Sequence, residues 1–414
     1  MSQSPTPRTV VYVENGIGYG GAAICMRHLV RNLDPARYRP LVVTGRTGPE
    51  YEGISAEADW RHIPDRHLDV VGMRRRLAES GWLDRPLAGA VLNQLLARLD
   101  DVANFLPFFL GLLWTSWRAR AALIHANNEP LCNRAALLVA RILRIPAVQH
   151  VRGDQSGSRM MGWSYRLPDH FIPVSHWISE GIGRLGVPEE RRTVIYDGIE
   201  LDALPLDTDR MAFRRRHGLG EDDFVVGLVG LLIPWKGQEL FLDAAKRLAD
   251  LAPELRMAII GGTPDDCREY EQKLHQRVRE EGLGGQVLFT GHESNMPEVY
   301  NSLDVVVSAS TSPEPLGTVV IESLALGRPL VAPAHGGARE MAEHERTALL
   351  FRPGDAEDLA RCIRRLHDDP GLGHRLGAAA REHALATFAV ETHADRVQAV
   401  YDRLLGKGGD GVSR

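Results

Sequence analysis

The sequence predicts an α/β protein made of two doubly wound halves, and three observations carry that expectation. Each half opens on a buried-strand pattern, at residues 9–14 and 224–230. Each of these strands feeds a glycine-bearing turn and then a helix, through Gly16–Gly21 in the first half and Lys236-Gly237 in the second. Apolar strands then alternate with helical stretches through both halves, as a parallel sheet with helical crossovers requires. A length of 414 residues suits two or three domains.

Composition narrows the function classes. The chain is 44% hydrophobic and 25% charged, as in ordinary soluble globular proteins. A net charge of -5 gives no sign of a nucleic-acid partner. Four cysteines are scattered with no Cys-x-x-Cys pair, which disfavours a disulfide framework or a zinc site. The first eight residues lack an apolar secretory core. A cytoplasmic protein is the expectation.

In the first half, strands are expected at 9–14, 40–44, near His62, 122–128, 145–154 and 170–175, with a strand and turn at 193–200. Helices are expected over 22–32, most of 74–117, 133–143 and 177–185. Residues 201–221 read as a polar linker, and Asp207-Thr208-Asp209 within it as solvated rather than metal-binding. In the second half, strands at 224–230, 256–262, 287–291 and 304–308 alternate with helices ending near Leu251, Glu281 and Leu303. A loop then leads to a helix over 317–326, which stops at Gly327 with Pro329 beyond it. A strand at 330–332 and a helical tail over 355–405 complete the chain. The tail carries an apolar stripe through Ala394, Val397, Val400, Tyr401, Leu404 and Leu405, which suits a final helix packing on the first half.

Residues 103–117 are unusually apolar, with Arg118 and Arg120 after them. They are shorter than the roughly 20 residues of a spanning helix, and Pro107 interrupts them. A buried core helix, an interfacial membrane contact and a true span are the three readings.

Candidate site residues cluster at turns. Glu314 precedes the helix at 317–326, and Gly317 lets its N-terminus approach a ligand closely. Free N–H groups there favour an anion such as a diphosphate. Glu322 sits in an otherwise apolar segment, where a carboxylate requires a hydrogen-bond partner; a ribose diol could serve. Lys236, at a strand-to-helix turn, could neutralise a phosphate. His150 and Arg152 share a face at a strand's C-terminal end, where open α/β sheets bind ligands; a structural ion network is the alternative. Gly16, Gly18 and Gly21 fit Gly-x-Gly-x-x-Gly and raise a dinucleotide-binding oxidoreductase as a rival. The second strand, however, ends in Thr44-Gly45-Arg46 without the acid that such a site needs.

Taken in order, these motifs resemble glycosyltransferase family 4, the retaining group 1 enzymes of the GT-B fold. The residues in register are Gly20-Gly21-Ala22, Val174-Ser175, Asp197-Gly198-Ile199, Lys236-Gly237, the Glu314-x7-Glu322 pair and Gly336-Gly337-Ala338-Arg339-Glu340. The resemblance implies two Rossmann-like domains facing across a cleft. Residues 1–200 would bind the acceptor, and 201–390 the nucleotide-sugar donor, with the final helix, about 391–405, crossing back to the first domain. Lys236-Gly237 would contact the donor diphosphate, and Glu314 the transferred sugar. The amides near Gly317, Thr318 and Val319 would meet the sugar and phosphate, Glu322 would hold the ribose, and Gly20 and Gly21 would approach the donor. His150 or Arg152 would take the family's histidine role.

The implied reaction is glycosyl transfer from a nucleoside diphosphate sugar to a hydroxyl acceptor, with no cofactor and no metal. The apolar 103–117 segment makes a lipid-linked or cell-surface glycan acceptor, and a place at the inner face of the membrane, the expectation. Three departures stand out. Leu231 occupies the place of the family's phosphate-binding Arg, with Arg152 as a candidate substitute. Arg152 stands where the family has its histidine. Asp197-Gly198 replaces Asn-Gly. The Leu231 departure keeps a non-catalytic nucleotide-sugar-binding homologue in view.

Overall fold

The computed structural model describes residues 6–15, 21–153, 162–201, 204–251 and 254–407. The chain divides into two compact units, one of Met1–Val174, Ile178–Tyr196 and His393–Arg414, the other of Ser175–Trp177 and Asp197–Thr392.

The first unit is built on six parallel strands: β1 (Arg8–Glu14), β2 (Tyr38–Thr44), β3 (Asp59–His62), β4 (Leu123–Ala126), β5 (Ala147–Val151) and β6 (His170–Pro173). They lie in the order β3-β2-β1-β4-β5-β6. Strand β1 shows why its run is apolar throughout. Val10 and Tyr12 face one core cluster, and Val11 and Val13 face another on the opposite side. A strand covered on both faces has no solvent side and so needs no alternation.

One of those covers is the end of the chain. Ala394, Val397, Val400 and Tyr401, from the helix Val390–Lys407, join the cluster of Val10 and Tyr12. The Tyr401 hydroxyl lies 2.8 Å from that of Tyr12 and 2.6 Å from His125 Nδ1. The apolar stripe read from the sequence is therefore the face that closes the first unit.

The second unit repeats the plan with β7 (Phe224–Val229), β8 (Leu255–Ile260), β9 (Val287–Gly291), β10 (Val305–Val307), β11 (Leu330–Pro333) and β12 (Leu349–Phe351). Its order, β12-β11-β10-β7-β8-β9, has the same connectivity as the first sheet, read from the other edge. In both units the direction of winding reverses beside the first strand, between β1 and β4 and between β7 and β10. Ligands of open α/β sheets bind outside the strand ends at this reversal.

Several local expectations are corrected. Residues 193–200 form no strand: Thr193 and Ile195 donate to Phe171 and Pro173, but only isolated bridges result. The linker holds a helix, Arg210–Arg216; Asp209 is exposed, as expected, and its carboxylate caps that helix by accepting from Met211 N–H. Pro107 does not break its helix. The helix Pro86–Asp100 passes through a π turn, Asp101–Phe105, into Leu106–Arg118, with Leu106 N–H donating to Asp101 O. Bonding five residues back at this point sets Pro107 at the start of a fresh helical turn, where its missing N–H is tolerated. Phe108 and Leu112 face the core while Leu110 and Trp114 face outward, so the segment is buried along one face only. Among the described residues, no helix is long and apolar enough to cross a membrane.

Candidate donor site in the second unit

The residues singled out in the second unit come together at its winding reversal. Strand β7 ends in the turn that carries Lys236, and β10 ends in the loop that carries Glu314. Lys236 Nζ donates to both Glu314 carboxylate oxygens, at 2.9 and 2.8 Å. The Ser310 hydroxyl also donates to Glu314. The Lys236 ammonium lies 4.5 Å from the centre of the Trp235 ring, a cation–π contact on its other side.

Two glycines permit this geometry. Gly237, at φ 79, has no room for a side chain: a Cβ there would sit 1.9 Å from Ala309 O. Gly336, at φ 55, is pressed against the Glu314 loop, where a Cβ would lie 2.8 Å from Glu314 N and O. Gly337 N–H then donates to Glu314 O at 2.8 Å. The helix Gly336–Met341 thus grips the backbone of Glu314, while Lys236 and Ser310 hold its side chain.

Gly317 starts the helix Thr318–Ala325 without a side-chain cap. The first helical bond runs from Ile321 N–H to Gly317 O, so the N–H groups of Thr318 and Val319 precede it. A small pocket lies here, lined by Ser308, Ser310, Glu314, Gly317 and His335 among others. His335 Nε2 lies 2.9 Å from Ser310 O. A larger cavity, of about 710 Å³, is lined by Arg210, Phe224, Asp304 and Arg328. It opens at the beginnings of β7 and β10, the wrong end of the sheet for this chemistry.

Glu322 lies one turn further along the helix. The Tyr300 hydroxyl donates to its Oε2 at 2.7 Å, a partner that the sequence did not reveal. Burial raises the Glu322 carboxyl above the usual carboxylate range, and the Tyr300 bond opposes that shift. A carboxyl raised in the folded state contributes stability below its unfolded pKa and loses it as pH rises through the folded value. Glu322→Gln is therefore expected to gain in thermal midpoint over the native protein between acid pH and neutrality. Thermal melts of both proteins across that range check this; a constant difference would contradict it.

Leu231, in the place where an Arg was expected, is 51% exposed beside this site. Its carbonyl accepts from Gln238 Nε2 at 2.9 Å, so the backbone of the turn is anchored while the side chain faces solvent.

In the first unit, His150 and Arg152 belong to a polar network. Arg152 donates to Asn127, and its other terminal nitrogen lies 3.3 Å from His150 Nδ1. His150 Nδ1 is also 3.3 Å from His125 Nε2. Asn127 and Asn128 donate to the Glu14 carboxylate. His150 is 0% exposed, and its ring stacks on that of His393 at 5.8 Å. Burial, followed by the Arg152 charge, pushes both His125 and His150 well below the ordinary histidine range, so both are neutral. Gly21 begins the helix Gly21–Arg31, while Gly16, Gly18 and Gly20 lie outside the described residues. Sequence reasoning missed His125 and Asn127, although both lie in the run His125-Ala-Asn-Asn128 at the end of β4. It also missed Ser310 and His335.

The two-sheet architecture is found in solved structures. It resembles HepE of Anabaena, solved with UDP, with a TM-score of 0.80 and 22% identity over 95% of this chain and 100% of that one. Sucrose-phosphate synthase of Thermosynechococcus elongatus matches with a TM-score of 0.74 and 20% identity, over 97% of this chain and 100% of that one. These likenesses define a GT-B fold. The family model for glycosyl transferases group 1 matches residues 209–383, and that for the glycosyl transferase 4-like domain matches residues 20–198. The chain belongs to the group 1 glycosyltransferases. Among curated relatives, a D-inositol 3-phosphate glycosyltransferase of Stackebrandtia nassauensis is 35% identical over 50% of this chain and 46% of its own length. The match thus spans about half of that relative. The lipopolysaccharide core biosynthesis mannosyltransferase LpsB of Rhizobium meliloti is 29% identical over 70% of this chain and 79% of its own length.

Proposed function

We propose that the protein is a retaining glycosyltransferase that moves a sugar from a nucleoside diphosphate sugar to a hydroxyl of a lipid-linked or cell-surface glycan. The observation that carries this is the Lys236–Glu314 pair beside the open N-terminus of the Thr318 helix, at the winding reversal of the sheet. The names of the relatives, an inositol phosphate glycosyltransferase and a mannosyltransferase of lipopolysaccharide, support the reaction class, and the second of them supports a lipid-borne acceptor. The UDP in the HepE structure supports a nucleotide donor.

Each residue then has a task. Lys236 and the amides of Thr318 and Val319 bind the diphosphate, and Glu314 meets the hydroxyls of the transferred sugar. Tyr300 fixes the Glu322 carboxylate so that its other oxygen can take the ribose hydroxyls. In the first unit, the His150–Arg152 network is assigned to the acceptor side. The bond from the anomeric carbon to the diphosphate breaks as the acceptor oxygen bonds to the same face of that carbon. The acceptor proton passes to the departing diphosphate. Before donor binds, Glu314 occupies the ammonium of Lys236. The diphosphate would take over that charge and turn the carboxylate to the sugar. The protein thus works by orientation and charge stabilisation.

Lys236 and the helix amides supply the cationic character in this reading, so no divalent ion is needed. Turnover is expected to persist in excess chelator; abolition reversed by a divalent ion would overturn this. Thermal-shift measurement against UDP-, GDP- and ADP-sugars tests the donor assignment. Ligand at about a hundredfold excess over Kd adds about 2.7 kcal/mol to stability. No stabilisation by any nucleotide sugar would reject it. The exposed Leu231 favours one second reading, a binding protein without turnover. Such a protein would be stabilised by the donor yet neither transfer nor hydrolyse it.

A further inference from the structure

The first unit carries a long apolar face on which nothing packs among the described residues. The helices Pro86–Asp100 and Leu106–Arg118, joined by the π turn, make one rod of about 50 Å at 1.5 Å per residue. Its inner edge is buried through Leu96, Asn104, Phe108, Leu112 and Ser116. Its outer edge presents Leu87, Val91, Leu95, Val102, Leu106 and Leu110, all exposed, with Leu87 at 85% and Val102 at 65%.

These outer residues recur every four positions on either side of the turn. A straight α-helix advances about 3.6 residues per turn, so a strict four-residue repeat drifts around it. The π turn takes up an additional residue and brings Val102 and its successors back to the face of Leu87 and Val91. It therefore aligns two short stripes into one.

The ends and flanks of the face have their own chemistry. Trp82 lies before the rod, and Trp114 and Trp117 lie on its last turns, all three exposed. The Arg85 guanidinium covers the Trp82 ring at 4.3 Å. The neighbouring helix Val70–Glu79 presents Arg74, Arg75 and Arg76 to solvent. Residues 66–120 hold eight arginines, no lysine and five acidic residues, a net charge of +3 in a chain whose total is -5. Tryptophan and arginine around an aliphatic stripe are the composition of a helix lying in a lipid interface.

We propose that this face docks the protein on an anionic lipid surface, with the Leu87–Leu110 stripe in the acyl boundary and the arginines among the headgroups. A second copy of the chain would meet the face with the same excess of arginine, whereas anionic headgroups complement it. The docking does not depend on the transferase reading, because none of these side chains belongs to the donor site.

Flotation of the full chain with vesicles is the test. The protein is expected to rise with phosphatidylcholine vesicles containing phosphatidylglycerol at about 0.1 M salt, and much less at about 1 M. The double variant V91E/L95E, on the exposed edge, is expected to lower the bound fraction about tenfold with an unchanged thermal midpoint. The variant R74E/R75E leaves the apolar stripe intact and should remove the preference for anionic vesicles. Absence of flotation with either vesicle would overturn the proposal. So would equal binding to pure phosphatidylcholine, or a stable dimer in light scattering that V91E/L95E converts to monomer.

Discussion

Removing the Glu314 carboxylate is expected to lower kcat by about a hundred- to a thousandfold, the range for losing one preorganised polar group that orients the reacting sugar. The fold should survive, because Gly337 N–H and the close approach of Gly336 hold the backbone of Glu314 and not its side chain. The same change frees the Lys236 ammonium from its carboxylate partner. Donor KM in Glu314→Ala should therefore stay level or fall, while Lys236→Ala should raise it. Initial rates against donor concentration separate the two effects. A kcat for Glu314→Ala within a factor of two of the native enzyme would refute the assigned role.

Arg214→Ala is expected to cost about 3–5 kcal/mol of stability, as breaking a buried charged network does. Arg214 is 0% exposed. Its guanidinium donates to the carbonyl oxygens of Ser302, Gly220, Glu221 and Asp223, at 2.9 to 3.1 Å, and to Asp304 Oδ2 at 2.7 Å. One side chain thus ties the linker helix to the loop before β7 and to the start of β10. Truncation leaves the buried Ser302 carbonyl without this donor and unties the part-buried carbonyls of Gly220, Glu221 and Asp223 from the helix. Lysine cannot reproduce the planar fork, so Arg214→Lys should also destabilise. Urea unfolding monitored by circular dichroism measures the loss. A change below about 1 kcal/mol in Arg214→Ala would show that the network is dispensable.

The contrast between these two residues explains what the sequence could reveal. Glu314, Gly317 and Lys236 were legible because their chemistry is local: strand end, turn residue and helix start fall within a few positions of each other. The alternation of apolar strands and helices made the two sheets legible for the same reason. Arg214 was not legible. It stands among Arg215 and Arg216 in a polar stretch, and only the packing of Ser302 and Asp304 against it decides that one of three arginines goes inside. Tyr300 is hidden in the same way, reaching Glu322 from a helix two elements earlier. Pro107 misled because its local tendency is to end a helix, and the π turn that accommodates it leaves no composition signal. The apolar 103–117 run gave its hydrophobicity but not its orientation, since the phase of the two faces is set by that turn.

The last helix also bears on how the chain is made. The core of the first unit includes Val397, Val400 and Tyr401, while residues 197–392 between them and β6 belong to the second unit. During synthesis the second unit is therefore complete before the helix that finishes the first has emerged. At about 5–20 residues per second, the Val10 and Tyr12 face waits roughly 10–40 s for its cover. The unit begun first is completed last, and in that interval its open face is a natural target for a chaperone.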